Sequence, residues 1–261
     1  MKKKLLKKII LYFFIIVFII ISIFPIYFLF VISSFSWSEF RYSSTPKFLP
    51  STKNLHAIYL AFFQKTYINS IIISSSVTIL SVVLGVSAGY SFARYKIGGF
   101  FLPFSILTIR MLPVVAFIIP FFIFAHKLNI IDTYYSVILS HLIICLPYSI
   151  WMMRAFFIEI PTEIEQASYV DGCSKWQTFY KIAMPLAAPG IVVTALFCFI
   201  FSWNEFIFGL VLTRKEVIPI SVSLSGGSNY TLALASIFPV LLFSILINKH
   251  LVRGITLGAV K

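Results

Sequence analysis

Residues 9–31 read IILYFFIIVFIIISIFPIYFLFV, and this stretch decides the fold class. It carries no charge and exceeds the roughly 18 to 20 residues that a helix needs to cross a hydrocarbon core of about 30 Å. Five lysines precede it, as in a secretory signal peptide. The run is nevertheless longer than the about 7 to 15 apolar residues of such a signal, and it continues into Ser33, Ser34 and Phe35. We interpret it as an uncleaved first membrane span.

The same pattern recurs along the chain. Of all residues, 60% are hydrophobic and only 11% are charged, with a mean hydropathy of +0.99, which excludes a water-soluble fold. Long apolar runs indicate helices rather than barrel strands, because a helix satisfies its own backbone hydrogen bonds in lipid. The sequence predicts one all-α, polytopic membrane bundle over residues 1–261, with six transmembrane helices at about 9–31, 67–90, 100–124, 134–153, 187–212 and 231–248.

Positive charge predicts the orientation of this bundle. The net charge of +13 comes from Lys and Arg that lie between apolar runs instead of forming one face, so it does not indicate a nucleic-acid partner. Both chain ends and the even-numbered connectors carry 13 of these cations, whereas the opposite side carries seven. The positive-inside rule then places both termini in the cytoplasm of a multi-pass cell-membrane protein.

The connector 154–186, on the predicted cytoplasmic side, contains signals for two short helices. Pro161 suits a first helical turn, Glu163 and Glu165 suit the positive end of the helix dipole, and Gly172 can close the C-terminus. These residues predict the first of the two helices.

The second helix is predicted directly after Gly172. Residues 174–177 fit a capping box, and the following residues recur at helical spacing until Pro185. Such an aromatic stripe on a cytoplasmic loop normally binds a partner protein. A hairpin that rests on lipid headgroups or on its own bundle is an equal alternative from the residues alone. The stripe consists of Trp176, Phe179, Tyr180 and Ala183.

The loop resembles a known motif. Gln166-Ala167-Ser168, Gly172 and Ile182-Ala183-Met184-Pro185 are similar to the EAA loop, E-A-A-x3-G-x9-I-x-L-P, of ABC importer permeases. The sequence departs from it at Gln166, Ser168 and Met184. The resemblance implies a coupling helix that sits in a groove of a cytoplasmic ATPase, which Trp176 and Phe179 would fill. The ATPase-coupling residues that it implies are Glu165, Gln166, Ala167, Asp171, Gly172, Trp176, Phe179 and Pro185.

The resemblance extends over essentially the whole chain. Trp203-Asn204-Glu205-Phe206 and the C-terminal segment 252–261 are similar to the MalG-like, carbohydrate-importer branch of these permeases. This implies a type I ABC importer permease fold, a second homologous permease subunit and an extracytoplasmic solute-binding protein. It also implies two ATP-binding-cassette ATPase subunits, which would bind ATP and magnesium, whereas this chain would bind no cofactor and would translocate a sugar or related solute.

Polar and aromatic residues within the predicted spans are candidates for the solute path. Arg110 lies about 15 Å into the third span and should face the bundle interior, because a charge there is costly in lipid. It either bonds carbonyls freed by Pro113 and Pro120 or lines the path. Three residues of the fifth span either line the path or contact the partner permease or external loops, namely Trp203, Asn204 and Glu205.

Small residues recur every four positions in the second span. They place narrow side chains along one stripe, where another helix can approach closely, so we predict a helix-packing contact rather than a ligand site. The stripe consists of Ser81, Gly85, Gly89 and Ala93.

The absence of certain sequence motifs narrows the range of possible functions. No G-x-x-x-x-G-K-S/T occurs, so the chain is not expected to be an ATPase, and four scattered histidines form no metal-site pattern. A self-contained secondary transporter of a small polar solute is the main alternative. It would normally need midplane acids for ion coupling, and the spans offer only Glu205. A membrane enzyme would need clustered His, Asp or Glu, which the sequence lacks.

Overall fold

The computed structural model describes residues 2–42, 47–99, 101–227 and 229–258. Within these ranges the chain consists of helices and loops, without a strand. One helical stretch, residues 175–186, contains a five-residue π-helical turn, Phe179–Ala183, between its α-helical parts. In chain order the helices are α1 (Lys2–Ser33), α2 (Trp37–Arg41), α3 (Leu55–Ala61), α4 (Lys65–Arg94), α5 (Phe101–Met111), α6 (Val115–Lys127), α7 (Tyr134–Glu159), α8 (Thr162–Val170), α9 (Lys175–Thr178), α10 (Met184–Leu186), α11 (Ala188–Asn204), α12 (Ile207–Leu212), α13 (Ile220–Leu224) and α14 (Tyr230–Gly258).

Several of these helices are long and apolar enough to cross a membrane. Lys7–Ser33, Leu55–Arg94 and Tyr134–Glu159 satisfy this criterion as single stretches. Two further candidates are bent: α5 with α6, and residues 175–186 with α11. The apolar part of α14, Tyr230–Ile245, is shorter. The predicted all-α membrane bundle is confirmed, with six as an approximate number of spans.

The helices of the third and fifth predicted spans are broken. α5 and α6 meet at an angle of 93°. Pro113 lies in the break, and proline lacks an N–H and disfavours helical backbone at the preceding residue. The predicted span 187–212 stops at Asn204, because Glu205 takes an extended conformation, with ψ at 127°, before the short α12.

α7 continues for six residues beyond the end of the predicted span 134–153. Met153 and Phe157 are fully buried against α4, which favours continuation of the helix. The helix ends at Glu159, and Ile160 is extended, as expected for a residue before a proline.

The contact between α4 and α7 forms the centre of the bundle. Ser81 is fully buried, and a Cβ added to Gly85 would overlap the Ser149 side chain. A Cβ on Gly89 would lie 2.8 Å from Met153 Cβ. The small residues of the second span therefore lie against the α7 backbone. Ala93, at the end of the stripe, is only half-buried.

Asp132 holds a loop together at the predicted outer end of the bundle. Its carboxylate accepts four backbone N–H bonds from residues 214–217, with N···O distances of 3.0 to 3.2 Å. Burial raises the pKa of the Asp132 carboxyl, but these four donors outweigh burial and hold that pKa below its ordinary value. The loop after α12 is thus fixed by one ionised side chain.

α1 stands largely apart from the rest of the bundle. Its large apolar side chains are exposed along most of its length, Phe18 by 72%. Contact with α14 occurs near the C-terminal end of α1, where the Ser33 hydroxyl donates to the Tyr230 carbonyl at 2.8 Å. α1 therefore offers an apolar surface that the described part of the chain leaves uncovered.

Candidate coupling loop and solute path

α8 is built as its local sequence predicts. It starts directly after a proline, and Glu163 and Glu165 lie in its first turn. Gly172 has φ of +84°, a left-handed conformation that suits glycine. The Cys173 N–H then donates to the Ser168 carbonyl at 2.9 Å, which closes the helix end with a Schellman-type turn.

The second short helix begins with the predicted capping box. The Ser174 hydroxyl accepts from the Gln177 N–H, and the Gln177 side chain accepts from the Ser174 N–H at 2.8 Å. The hydroxyls of Ser168 and Thr178 lie 2.7 Å apart and join the two helices. The hairpin of α8 and residues 175–186 is therefore one folded unit, which we call the coupling loop.

Glu165 binds the bundle instead of pointing away from it. Its carboxylate accepts from Arg94 Nε at 2.7 Å and from the Tyr90 hydroxyl at 2.8 Å. Arg94 also donates through Nη2 to the Ile160 carbonyl at 2.9 Å. The Arg94 and Glu165 side chains are only 9% and 5% exposed. This carboxylate is buried and already paired, so Glu165 can act in coupling only through its contacts with the bundle and not by touching an ATPase.

Phe179 also differs from its predicted role. It is 5% exposed and packs on Tyr90, with 4.7 Å between ring centroids, beside Phe157 and Met153. A π-helical turn begins at this residue, and Phe179 and Ala183, four residues apart, both face the bundle. Phe179 therefore anchors the loop rather than filling a partner's groove.

The opposite face of the coupling loop is open to solvent. Trp176 is 71% exposed and stacks on Tyr180, with 6.0 Å between ring centroids. At the tip of α8, Val170 is 89% exposed, which is unusual for an apolar residue. The motif match did not single out Val170, because it falls on a variable position before the glycine. Other predicted coupling residues that are exposed are Gln166, Ala167, Asp171, Gly172 and Pro185.

Trp203 belongs to the core and not to a solute path. It is 4% exposed, its ring centroid lies 5.7 Å from that of Tyr67, and its indole N–H donates to the Ser236 carbonyl at 3.2 Å. The sequence alone did not reveal this, because tryptophan suits both a sugar platform and a helix contact. Asn204, the next residue, is exposed.

Glu205 holds the break in the fifth span. Its carboxylate accepts the backbone N–H groups of Ile207 and Phe208 at 2.9 and 3.0 Å, and so caps α12. His141 Nε2 lies 3.2 Å from the same carboxylate, and His141 Nδ1 lies 2.8 Å from the Ser202 hydroxyl. Because these bonds occupy the carboxylate, Glu205 is a structural residue here. The sequence reading missed His141, which lies on a different helix.

Arg110 faces two aromatic rings. Its guanidinium carbon lies 4.4 Å from the Tyr148 ring centroid and 4.5 Å from that of Phe201. Its Nη1 atom is buried without a hydrogen-bond partner in the described part of the chain. Arg110 therefore points inward, and the described residues leave one of its donors available.

The described residues contain no group of three or more His, Cys, Asp or Glu side chains placed to hold a metal ion.

Comparison with known proteins decides the family. A family model described as the binding-protein-dependent transport system inner membrane component matches residues 81–255, which is more than half of the chain. The chain belongs to this permease family. The permease is 34% identical, over 82% of its length and 85% of the relative, to the trehalose transport system permease protein SugB of Mycobacterium tuberculosis. It is 29% identical, over 100% of its length and 99% of the relative, to the trehalose/maltose transport system permease protein MalG of Thermococcus litoralis.

Solved structures show the same fold. The permease matches a chain of a bacterial ABC transporter involved in import of the acidic polysaccharide alginate, with a TM-score of 0.77 and 23% identity. The match covers 95% of the permease and 98% of that chain. The expected ABC importer permease fold is confirmed, and the family assignment favours an importer subunit over a self-contained secondary transporter.

Proposed function

We propose that the permease forms, with a second homologous permease subunit, the translocation path for a sugar or related solute that an extracytoplasmic binding protein delivers. The trehalose and maltose systems of its relatives support this solute class. Two ATP-binding-cassette ATPase subunits, with ATP and magnesium bound to them, drive the cycle. The permease itself contributes no nucleotide site.

The two-faced coupling loop is the observation that carries this proposal. One face is fixed to the bundle by Glu165 and Phe179. The other presents Ala167, Val170 and Trp176 to solvent. Exposed apolar residues on a rigid support are typical of a protein-binding surface. An ATPase that moves this surface would transmit its movement to α4 through buried contacts.

The orientation of the bundle follows from charge. The coupling loop and the C-terminal ends of α4 and α7 lie together. Of the Lys and Arg residues between the spans and at the chain ends, 13 lie on the side of the coupling loop and seven on the other side. This division supports a cytoplasmic position for the coupling loop and for both chain termini. Asp132 and the loop that it fixes then face the outside, where a binding protein docks.

The uncovered surface of α1 supports a second membrane subunit. Its exposed apolar side chains are compatible with lipid alone, but one helix without neighbours adds little stability to a bundle. We propose that lipid covers part of this surface and the partner permease the rest. Arg110 and Asn204 are the remaining candidates of the predicted solute path.

A substitution at the tip of α8 tests the proposal. Val170→Asp places a charge in the proposed ATPase groove without touching the buried anchors. Loss of a central apolar contact costs about 1.4 to 2.8 kcal/mol, so we expect retention of the ATPase to fall about tenfold to hundredfold on copurification. Leu49→Asp, at a 77% exposed residue of the predicted outer side, is the matched control. Undiminished ATPase retention and normal solute-stimulated hydrolysis with Val170→Asp would refute docking at this tip.

A further inference from the structure

A cavity of about 480 Å³ lies beside the coupling loop, and no function described above uses it. The last turn of α4, the end of α7 and the first residue of α8 contribute Arg94, Arg154 and Thr162 to its lining. Lys96 and Gly99 from the connector after α4 line another side. We call this space the basic cavity.

The polar lining of the basic cavity is cationic. Among its described lining residues three are basic and none is acidic. The Nε atom of Arg154 is buried without a hydrogen-bond partner in the described ranges, and its guanidinium carbon lies 5.6 Å from the Trp151 ring centroid. Lys96 is exposed. A buried donor without an acceptor is unfavourable, so this cavity suits a ligand that brings acceptor oxygens and negative charge.

Apart from Thr162, the rest of the described lining has no polar side chain. Phe92 and Ile158 also line the cavity; Phe92 lies two residues before Arg94 on α4, toward the interior of the bundle, and Ile158 is 50% exposed. A cationic pocket joined to an apolar wall at the end of two membrane helices matches a molecule with an anionic head and hydrocarbon chains. Basic pockets between helices on the cytoplasmic side of a membrane are typical sites for anionic lipid headgroups.

We infer that the basic cavity binds the phosphate headgroup of an anionic phospholipid from the inner leaflet, with Arg154 and Lys96 as donors and the acyl chains along Phe92. The inference rests on the cytoplasmic orientation proposed above. Arg94 lines the cavity and also holds Glu165 of the coupling loop. A bound lipid therefore stabilises the anchor of α8, and coupling depends on the lipid composition of the membrane.

Lipid retention tests this inference without ATP or solute. The full-length permease in its complex is exchanged into a mild detergent with equal amounts of phosphatidylglycerol and phosphatidylcholine, and bound lipid is counted by native mass spectrometry. We expect selective retention of phosphatidylglycerol. Arg154→Gln and Lys96→Asn should each lower the retention of phosphatidylglycerol about fivefold, because one basic residue near an anionic lipid surface contributes about 1 kcal/mol to binding. Asparagine tolerates the left-handed conformation of Lys96, whose φ is +50°. Lys127→Gln, at an exposed cation on the opposite side, is the control.

Three outcomes overturn the inference. One is equal retention of the two lipids by the unmodified protein, a measurement that needs no variant. Another is unchanged phosphatidylglycerol retention in the Arg154→Gln, Lys96→Asn double variant with a normal thermal unfolding profile. The third is displacement of the lipid by millimolar inorganic phosphate or glycerol phosphate, which would assign the cavity to a soluble phosphate compound. The Val170→Asp experiment is separate, because ATPase docking can fail while lipid retention persists.

Discussion

Replacing Glu165 with glutamine should separate ATP hydrolysis from transport. The substitution keeps the size of the side chain and removes its charge, which leaves Arg94 as a buried cation without its partner. Both side chains are less than one-tenth exposed, so the cost for a broken buried pair applies, about 3 to 5 kcal/mol. This cost acts on the anchor of α8 and not on its solvent face. We therefore expect the ATPase to stay bound while solute uptake falls at least tenfold.

The assay uses the complete importer in proteoliposomes, where ATP hydrolysis and solute uptake are measured in parallel. Glu163→Gln is the matched control, because it makes the same chemical change on the same helix at an exposed residue. Tyr90→Phe should have a smaller effect than Glu165→Gln, because it removes one hydrogen bond to the carboxylate, worth about 1.5 to 3 kcal/mol.

The double variant Arg94→Gln, Glu165→Gln shows whether uptake falls because the ion pair is lost or because Arg94 is left as an unpaired buried charge. It should recover part of the uptake, since neither buried charge remains. Uptake and hydrolysis at unmodified rates in Glu165→Gln would refute the argument that this pair transmits movement from the coupling loop to α4. Loss of ATPase binding in Glu165→Gln would also contradict it, because the buried carboxylate would then belong to the docking surface.

Two further predictions concern stability. Gly85→Leu should sharply reduce the yield of folded permease in detergent, because even a Cβ there overlaps the Ser149 side chain and overpacking costs about 1 to 3 kcal/mol or more. Val83→Leu, at a 59% exposed site on the same helix, is the control and should leave the yield unchanged. A normal yield of Gly85→Leu would exclude this packing contact. Asp132→Asn should lower the thermal unfolding temperature at neutral pH. The Asp132 pKa is depressed in the folded state, so its stabilisation is present above the unfolded pKa of about 3.9 and is lost as pH falls through the folded value. The difference between the two proteins should therefore shrink below about pH 4, and a difference independent of pH would show that the Asp132 charge is not the cause.

Local signals made the coupling loop predictable from the sequence. The capping box of residues 174–177 and the turn at Gly172 each depend on residues within a few positions of one another. The pairing of Glu165 was not predictable, because its partner Arg94 lies 71 residues earlier and no local pattern connects the two. Phe179 was misassigned for a different reason, since the aromatic stripe was treated as one face, whereas Trp176 is 71% exposed and Phe179 is buried.

Broken helices limited the prediction of the solute path. Hydropathy detects apolar runs, but it does not show where a run stops being a helix, so Glu205 was placed inside a span rather than at its end. The small-residue stripe was more informative, because narrow side chains every four residues have few uses other than close packing. Its partner, α7, could not be identified from one sequence, since that contact joins residues far apart in the chain.

Because of the π-helical turn at residues 179–183, the number of residues in the coupling loop cannot change without changing the direction in which its tip points. Deleting one residue there would restore a regular α-helix and rotate everything before it by about 100° around the helix axis. The ATPase-facing tip would then point sideways while Phe179 lost its place against Tyr90. Surface loops usually tolerate insertions and deletions, but the nine residues between Gly172 and Ile182 set an angle as well as a distance. Among related permeases, changes of chain length should therefore be rare in this segment even where side chains vary freely.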